Sequence, residues 1–263
     1  MEYQSVLKRM PVEYVDPVVY YLDMGEDFII LNNLIGKKIG VDFKKYQCLG
    51  CGQDIPVFAQ GLCKKCYFES PHTGDWVMKP ELSKAHLDIE DRNLEFEKEV
   101  QLQPHFVYLA KTSDIKVGVT RHSQIPTRWI DQGADEAMVI METPNRFIAG
   151  QIEVFLKQFF TDKTGWQKML KGITTEKTLT EAKEKAKKLI PAEFKKYWIE
   201  DSEPVKIKYP VLKYPEKIKS INLEKTPGFS KKLIGIKGQY LIFEDGSVFN
   251  VRNHAGYVVE LKF

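Results

Sequence analysis

Alternating apolar and polar residues and short apolar runs indicate strands at both ends of the chain. Six segments carry such a pattern: residues 17–22, 27–31, 38–43, 239–243, 247–251 and 257–261. The turn residues Glu244, Asp245 and Gly246 between the fourth and fifth segments predict a hairpin. Neither group of strands can bury both of its faces alone, so we expect the two ends to pack on each other or on the middle of the chain.

The middle of the chain combines two predicted strands with two predicted helices. Residues 105–110 and 115–120 have the pattern of paired strands, and residues 123–133 have the pattern of a short helix. Residues 147–160 predict an amphipathic helix. Its apolar stripe consists of Ile148, Ile152, Leu156 and Phe159.

A lysine-rich segment and then a proline-rich segment follow. Thr178 and Glu181 have the capping-box spacing that begins a helix, and Pro191 ends it. A second helical segment is predicted around residues 192–199. Prolines recur between residues 204 and 230, which predicts an extended connector over the surface.

The composition is that of a folded chain. Hydrophobic residues make up 43% of its 263 positions, enough for a large core. No apolar run is long enough to cross a bilayer, which predicts no membrane partner. The first nine residues contain no apolar signal core, so we expect a cytoplasmic protein.

All four cysteines lie close together, in two Cys-x-x-Cys pairs that are eleven residues apart: Cys48, Cys51, Cys63 and Cys66. Each Cys-x-x-Cys turn places two thiolates on one side of a tight knuckle, about 2.3 Å from a shared metal. Two knuckles close a tetrahedral shell around Zn²⁺, which predicts a structural zinc ion rather than a catalytic one. A redox pair or unrelated buried thiols are the competing interpretations. We expect Phe58 and Tyr67 to lie beside the site and cover it.

Positive charge is concentrated in residues 171–240, which hold 17 lysines and nine acidic residues, a net charge of +8. Lysine suits phosphate contact without base readout, so this segment predicts a nucleic-acid-binding surface. Lys183, Lys187 and Lys188 are the contacts we expect there. A solvated lysine-rich helix and linker is the alternative.

Residues 105–160 resemble the GIY-YIG nuclease superfamily, whose core runs strand, strand, helix, strand, helix. Phe106-Val107-Tyr108 stands where that family has Gly-Ile-Tyr, and Lys116-Val117-Gly118 stands where it has Tyr-Ile-Gly. Arg128 falls at the position of the family's phosphate-contacting arginine, and Glu153 at that of its metal-binding glutamate. These motifs are short and moderately specific.

A second resemblance covers most of the chain. Residues 116–121 and 124–134 are similar to an uncharacterised bacterial family that also carries the Cys-x-x-Cys pairs, and residues 238–261 look like its C-terminus. Many members of that family carry further cysteines in the segment that matches residues 76–86. This chain has Trp76 and Ser83 there, so we expect a single cysteine site.

The nuclease resemblance implies a role for each of four catalytic candidates. Glu153 would hold one Mg²⁺ or Mn²⁺, and Arg128 would clamp the phosphate by a bidentate contact. Tyr108 would orient or deprotonate the attacking water. Lys116 replaces the second motif tyrosine, which is implicated in proton transfer, and it could share that role if burial depressed its pKa.

Each candidate also has a purely structural interpretation. Tyr108 fits an ordinary sheet tyrosine, and Glu153 fits a solvated helix residue. Arg128 is close enough in sequence to pair with Asp131 or Asp135 on the surface.

Two histidines and a tryptophan near these candidates also allow either a functional or a structural interpretation. His105 and His122 are spare bases or strand-edge residues, and Trp129 fits a core position better than a base-stacking one. The family's late asparagine has no counterpart between Asn145 and Asn222.

Together these patterns and resemblances predict an α+β protein. Residues 1–104 form an N-terminal β region with a zinc ribbon, and residues 105–172 form a GIY-YIG-like α/β domain. Residues 173–263 form a lysine-rich helical arm and a C-terminal β meander.

The leading function is nucleic-acid binding with Mg²⁺- or Mn²⁺-dependent phosphodiester hydrolysis by a GIY-YIG-like endonuclease. One alternative is a non-catalytic RNA- or ribosome-associated binding module on the same scaffold, and another is a zinc-stabilised protein-interaction scaffold. The lysine excess favours the first two, and the replaced tyrosine and missing asparagine favour the non-catalytic module over the nuclease. The sequence leaves open whether the partner is DNA or RNA, and which oligomeric state the protein adopts.

Overall fold

The computed structural model of the chain describes residues 2–25, 27–161 and 163–263. Within these ranges the strands are β1 (Glu2–Val6), β2 (Val12–Glu13), β3 (Val19–Asp23), β4 (Phe28–Ile30), β5 (Lys38–Tyr46), β6 (His105–Lys111), β7 (Ile115–Arg121), β8 (Glu136–Thr143), β9 (Val205–Lys206), β10 (Lys219–Ser220), β11 (Gly228–Lys237), β12 (Tyr240–Phe243), β13 (Ser247–Asn250) and β14 (Tyr257–Lys262).

The α-helices of the same ranges are α1 (Lys64–Glu69), α2 (Asp75–Met78), α3 (Leu94–Gln101), α4 (Thr127–Asp131), α5 (Arg146–Leu156), α6 (Trp166–Leu170) and α7 (Leu179–Leu189). Short 3-10 helices cover Leu31–Leu34, Pro71–Thr73, Pro80–Leu82, Ala85–Leu87, His122–Gln124, Ala192–Tyr197 and Arg252–His254. Helices and sheets occur in comparable amounts, so the predicted α+β class is confirmed.

The chain forms two compact units, each built from segments that are separate in sequence. The first unit contains Met1–Phe68, Leu170–Gly172 and Ile207–Phe263, and the second contains Glu69–Met169 and Ile173–Lys206.

The first unit contains a seven-stranded sheet in the order β1-β14-β5-β11-β12-β13-β10. Its neighbouring strands are antiparallel except β10 and β13, which are parallel. Tyr3 lies opposite Leu261, so strands from the two ends of the chain pair directly. The expectation that the two ends pack on each other is confirmed. A separate three-stranded sheet has the order β2-β3-β4.

All six predicted terminal strands are present, as β3, β4, β5, β12, β13 and β14. Strand β11 was missed, and its first residues were assigned to the connector. It carries exposed polar residues such as Ser230 in its first half, whereas Leu233 and Ile236 in its second half are fully buried. Strand β11 pairs with β5 on one side and β12 on the other, so long-range pairing rather than local pattern stabilises it.

The second unit is built on a four-stranded antiparallel sheet in the order β7-β6-β8-β9. Its elements follow the chain as β6, β7, α4, β8 and α5, the order that the nuclease resemblance implied. Val107 and Val117 belong to a buried cluster with Ile152 of α5 and Leu179 and Ala186 of α7. These two helices therefore cover the sheet with their apolar residues.

The helices of the second unit begin and end at local signals. The Thr178 side chain accepts a hydrogen bond from the Glu181 backbone amide, and Glu181 bonds back to the Thr178 amide, so the predicted capping box is confirmed. Helix α5 begins after Asn145, whose side chain accepts from the Ile148 amide. Residues 192–197 are a 3-10 helix, a tighter form of the predicted helical segment.

Candidate functional site

The four cysteines converge in the first unit. The sulfur atoms of Cys48, Cys51, Cys63 and Cys66 all lie within 4.8 Å of one another, and the thiols are not joined as disulfides. A zinc ion with four bonds of about 2.3 Å would place its sulfurs roughly 3.8 Å apart, so this cluster needs only a small contraction to bind such an ion. Four clustered cysteines form a site that could hold a metal ion.

Backbone amides surround the sulfur of Cys48. The Cys63 amide donates to it at 3.2 Å and the Gly50 amide at 3.3 Å. Burial acts to raise the pKa of the Cys48 thiol, but the hydrogen bonds from the Cys63, Cys51 and Gly50 amides outweigh it and lower this pKa to about 6. The loop therefore stabilises one thiolate before any metal binds.

The fourth thiol, Cys66, is hard to ionise. A hydrogen bond with the Cys63 sulfur, together with burial and the neighbouring sulfurs, raises the pKa of Cys66 to about 12. Crowded thiols cannot all ionise because their negative charges repel, whereas a bound dication neutralises them. The arrangement is therefore chemically suited to a metal.

Glycines permit the turns of this loop. Gly52, directly after Cys51, has a φ of +71°, a conformation that glycine adopts without strain, and its amide donates to the Cys48 carbonyl oxygen at 2.8 Å. Gln60 and Gly61 have φ values of +53° and +81° and join Ala59 to Leu62 in a tight turn. The loop thus folds back and brings the second cysteine pair to the first.

The second unit carries a separate group of polar side chains around Tyr108 of β6. Tyr108 lies opposite Gly118 of β7 and is 1% exposed. A Cβ atom added to Gly118 would lie 2.5 Å from the Tyr108 hydroxyl oxygen and 2.6 Å from Cζ, so the phenol ring occupies the space that only glycine leaves open. The Gln132 side-chain amide and the Tyr108 hydroxyl are joined by a hydrogen bond of 2.9 Å.

Arg128 of α4 and Glu153 of α5 both act on the Tyr108 phenol. Burial raises the pKa of Tyr108, and the negative charge of Glu153 adds to that effect. The positive charge of Arg128 and the hydrogen bond with Gln132 oppose it without reversing it. The phenol, guanidinium and carboxylate are therefore close enough to interact electrostatically, and the phenol stays protonated at neutral pH.

Lys116 of β7 lies on the same side of the sheet as Tyr108. It pairs with Ala110, two residues from Tyr108, and side chains two positions apart in a strand point to the same face. Lys116 is 7% exposed. The structure thus groups Tyr108, Arg128 and Glu153 by their mutual electrostatic effects, and Lys116 by its position in the sheet.

Glu153 is a buried carboxylate with little compensation. It is 8% exposed, and its Oε2 atom receives no hydrogen bond among the described residues. Lys157 Nζ lies 3.5 Å from that oxygen, one helical turn away. Burial raises the pKa of Glu153, Glu81 adds to this increase, and Lys157 and Arg146 oppose it. The Lys157 ammonium offsets part of the free-energy cost of burying this carboxylate, and a bound cation would offset more of it.

Glu81 is a second carboxylate near Glu153. Its Oε2 atom is also buried without a hydrogen-bond partner among the described residues. The turn that carries it packs directly on α5, because Gly150 has no side chain. A Cβ atom added to Gly150 would lie 2.5 Å from the Pro80 carbonyl carbon and closer still to the Glu81 amide. No motif pointed to Glu81, and sequence analysis missed it.

Arg146 at the start of α5 was also missed. Its guanidinium donates to the Val77 carbonyl oxygen at 2.7 Å and to the Trp76 carbonyl oxygen at 3.1 Å. Burial is the main cause that lowers the pKa of Arg146 to about 10; the charges of Arg128 and Arg121 act in the same direction, and those of Glu153 and Glu81 oppose them. The polar group therefore has more positive than negative charges.

The two histidines near the polar group around Tyr108 differ in burial. His105 is fully buried, and its Nδ1 atom lies 2.8 Å from the Gln103 carbonyl oxygen. Burial, together with the charges of Arg146 and Arg121, lowers the pKa of His105 to about 4. His122 is exposed, with its ring 5.7 Å from that of Phe106. With this low pKa, His105 is a weak base at neutral pH.

Of the three lysines expected to form a nucleic-acid-binding surface, Lys183 is buried. Lys183 is 6% exposed, and its ammonium donates to the Glu200 carbonyl oxygen and, at 2.8 Å, to the Ser202 hydroxyl oxygen. Lys187 pairs with the Glu200 carboxylate at 2.6 Å. Both lysines join α7 to the segment after the 3-10 helix, but Lys187 and its partner Glu200 are exposed. Lys188 is exposed.

Comparison with known proteins adds one finding to this geometry. No curated protein and no solved structure matches the chain. Among the described residues, no helix has the length and apolar character needed to cross a bilayer. Residues 36–259, which contain the cysteine cluster and the polar group around Tyr108, match the family described as "Protein of unknown function (DUF2797)". The chain therefore belongs to this family, as the resemblance over most of its length predicted.

Proposed function

We propose that this protein binds nucleic acid and hydrolyses phosphodiester bonds with Mg²⁺ or Mn²⁺ at the polar group around Tyr108. The observation that carries the proposal is Glu153, a buried carboxylate whose charge acts on the Tyr108 phenol. Among the described residues, its Oε2 atom receives no hydrogen bond and has the Lys157 Nζ atom at 3.5 Å. The element order of the second unit, β6-β7-α4-β8-α5, further supports the relation to the GIY-YIG nucleases.

Glu153 fits the requirement for a divalent cation. The ion would be held by its Oε2 atom, with water completing the shell, as is usual for Mg²⁺ in proteins. When bound, the ion supplies charge stabilisation for the phosphate and lowers the pKa of a bound water. Glu153 itself is held in place by helix α5 and by the Lys157 side chain.

The remaining residues position the substrate and stabilise charge. Arg128 is half-buried and presents a guanidinium that matches two phosphate oxygens. Tyr108 has a raised pKa, so it acts as a hydrogen-bond donor that orients a water or phosphate oxygen rather than as a base. Lys116, on the same face, stabilises the negative charge that develops on the phosphate.

We also infer that the cysteine cluster holds Zn²⁺ in a structural role. Four thiolate ligands fill a tetrahedral shell and leave no position for a substrate. The amide hydrogen bonds to the Cys48 sulfur supply the outer contacts that such sites use to orient and stabilise their thiolates.

A second candidate is a non-catalytic RNA- or ribosome-associated binding module on the same scaffold. Lys116 favours it, because this residue replaces the tyrosine that the nucleases use for proton transfer. Arg128 and Lys116 would then serve only as phosphate contacts.

Cleavage assays with Glu153→Gln test the leading proposal. Wild-type protein should cut a DNA or RNA substrate only with Mg²⁺ or Mn²⁺, and Glu153→Gln should lose activity at least a hundredfold while binding stays within about twofold, because the lost charge contacts the ion. The matched control is Glu184→Gln, which changes an exposed glutamate on α7 and should cut normally. A wild-type protein that binds nucleic acid tightly and cuts none with either ion would establish the binding module instead.

A further inference from the structure

Three aromatic rings form a cluster beside the cysteine site. Phe58 lies between the two cysteine pairs, and Tyr67 and Phe68 directly follow the second pair. The ring centroids are 5.3 Å apart for Phe58 and Tyr67, 5.4 Å for Tyr67 and Phe68, and 5.7 Å for Phe58 and Phe68. Phe58 and Tyr67, the two residues expected beside the cysteine site, therefore pack against each other.

Two of these rings are largely open to solvent, since Phe58 is 53% exposed and Phe68 is 55% exposed. Burying a phenylalanine side chain stabilises a folded protein, so two half-exposed rings in one cluster lose much of that stabilisation. A contiguous exposed aromatic patch of this kind marks an interaction surface.

Backbone hydrogen bonds hold the segments that carry Phe58 and Tyr67. The Tyr67 amide donates to the Cys63 carbonyl oxygen at 2.9 Å, and the Phe58 amide donates to the Leu62 carbonyl oxygen at 2.7 Å. Both ring-bearing segments are therefore tied by hydrogen bonds to the loop that brings the cysteines together. A ring that is already ordered loses little conformational entropy when a ligand stacks on it.

Two lysines flank the rings. In helix α1, Lys64 precedes Phe68 by four residues and Lys65 precedes it by three, so both lie on the side of the helix that carries this ring. Both lysines are exposed, and across the part of the chain that the structure describes neither takes part in an ion pair. Glu69 is the acidic residue at the end of the same helix. The face formed by Phe58, Tyr67, Phe68, Lys64 and Lys65 is here called the knuckle face.

We propose that the knuckle face binds single-stranded nucleic acid, with bases stacked on Phe58 and Phe68 and phosphates at Lys64 and Lys65. This inference rests on the proposed function and specifies the class of its substrate. Exposed rings stack on any unpaired base, whereas duplex bases are already stacked on each other. Unpaired lysines beside the rings favour a polyanion over a protein partner, because lysine is depleted at protein–protein interfaces.

Binding of a labelled single-stranded 20-mer to full-length zinc-loaded protein tests this face. The assay uses DNA and RNA oligonucleotides without added Mg²⁺ or Mn²⁺, so that nothing is cut. Phe68→Ala should weaken binding at least fivefold, and Phe68→Trp should restore it, since one stacked base contributes about a factor of five or more. Phe58→Ala is the second variant and should act in the same direction.

Controls separate this face from other surfaces. Phe28→Ala removes an equally exposed ring, 61% exposed on β4, and should leave affinity unchanged. The double variant with Lys64→Gln and Lys65→Gln should bind more weakly and lower the slope of log affinity against log salt by roughly 1.4, because two single-strand phosphate contacts are lost. Zinc content and the melting temperature confirm that each variant folds.

The possible results distinguish failure of the knuckle-face proposal from failure of the proposed function. Single-stranded binding that is insensitive to both Phe68→Ala and Phe58→Ala would overturn the knuckle face and leave nucleic-acid binding in place. Equal affinity for a blunt duplex, with the same loss in Phe68→Ala, would overturn the single-stranded class. A wild-type protein that binds no oligonucleotide would overturn both the knuckle face and the proposed function.

Discussion

The cysteine cluster and the polar group around Tyr108 are built in opposite ways. The four cysteines come from one loop of 19 residues, between Cys48 and Cys66, and its own backbone amides surround their sulfurs. The polar group draws its side chains from five separate segments between Glu81 and Glu153. Two of its carboxylate oxygens, one on each of these glutamates, receive no hydrogen bond among the described residues.

This difference separates a site that folds locally from one that tertiary packing assembles. Local ligands need only short turns, so their spacing in the sequence reveals them. A buried polar group forms only where distant segments of the chain pack over it. Removing its charged side chains from water costs free energy. The cysteine site is therefore sensitive to loss of a ligand, and the polar group is sensitive to pH and to changes in packing.

Cys51→Ser is expected to have the largest effect. Cys51 is exposed, so the substitution removes a ligand without disturbing the core. We expect the bound zinc to be lost and the free energy of unfolding to fall by about 5 kcal/mol or more, since structural zinc contributes on the order of 10 kcal/mol in small zinc domains. Metal analysis and thermal unfolding measure both quantities.

The neighbouring Gln53→Ser variant is the control, because Gln53 is exposed in the same loop and supplies no sulfur. A Cys51→Ser protein that keeps its metal and its melting temperature would contradict the local character of this site.

Acid should destabilise the protein through His105. Its pKa is 6.5 when unperturbed and about 4 in the folded state, so between these pH values the unfolded state binds more protons. Stability is therefore fully present above pH 6.5 and falls as the pH decreases toward 4, by about 3 kcal/mol in total. His105→Gln should flatten this part of the curve of unfolding free energy against pH.

The exposed His122 provides the control for this measurement. His122→Gln should keep the same acid-dependent loss as wild type. If His105→Gln and wild type lose equal stability between pH 6.5 and pH 4, burial of a neutral His105 beside Arg121 and Arg146 does not govern the acid response.

Gly150→Ala should change the free energy of unfolding by a smaller amount. The sign of that change shows whether the turn at residues 80–82 packs on α5. Alanine is about 1 kcal/mol more favourable than glycine inside a helix. Here the new methyl group would meet the backbone of Pro80 and Glu81, which cannot move aside as a flexible side chain can. We expect a net loss of about 2 kcal/mol in the free energy of unfolding, measured by urea denaturation.

Gly40→Ala is the matched control for packing. A Cβ atom at Gly40 would have its nearest neighbours at 3.5 Å and 3.8 Å, an ordinary contact distance. An increase in stability for Gly150→Ala would mean that the turn at residues 80–82 does not pack on α5 as described.

Sequence patterns predicted the helices and strands better than they predicted which of these elements contact each other. The Cys-x-x-Cys spacing predicted the cluster, and Thr178 with Glu181 predicted the start of α7. The roles of the four catalytic candidates and the three sequence-defined domains stay predictions. Strand β11 was missed because its long-range partners, not its own pattern, hold it in the sheet.

The prediction that Lys183 lies on the surface was wrong, and the reason is informative. Its charge and helical position resembled those of a surface lysine, yet its ammonium lies among the Glu200 carbonyl oxygen and the Ser202 side chain. Nothing within one helical turn of Lys183 signals those partners, because they follow it by 17 and 19 residues. Net charge along the chain therefore overstated the charge available to a polyanion.

The sequence by itself determined the cysteine cluster, the helix caps and the periodic strands, because each depends on residues within one short segment. Only the tertiary structure decided that Glu81 approaches Glu153, that His105 and Lys183 are buried, and that the two chain ends share a sheet. The physical reason is that desolvation and sheet pairing depend on which distant segments pack together, and local pattern does not encode that choice.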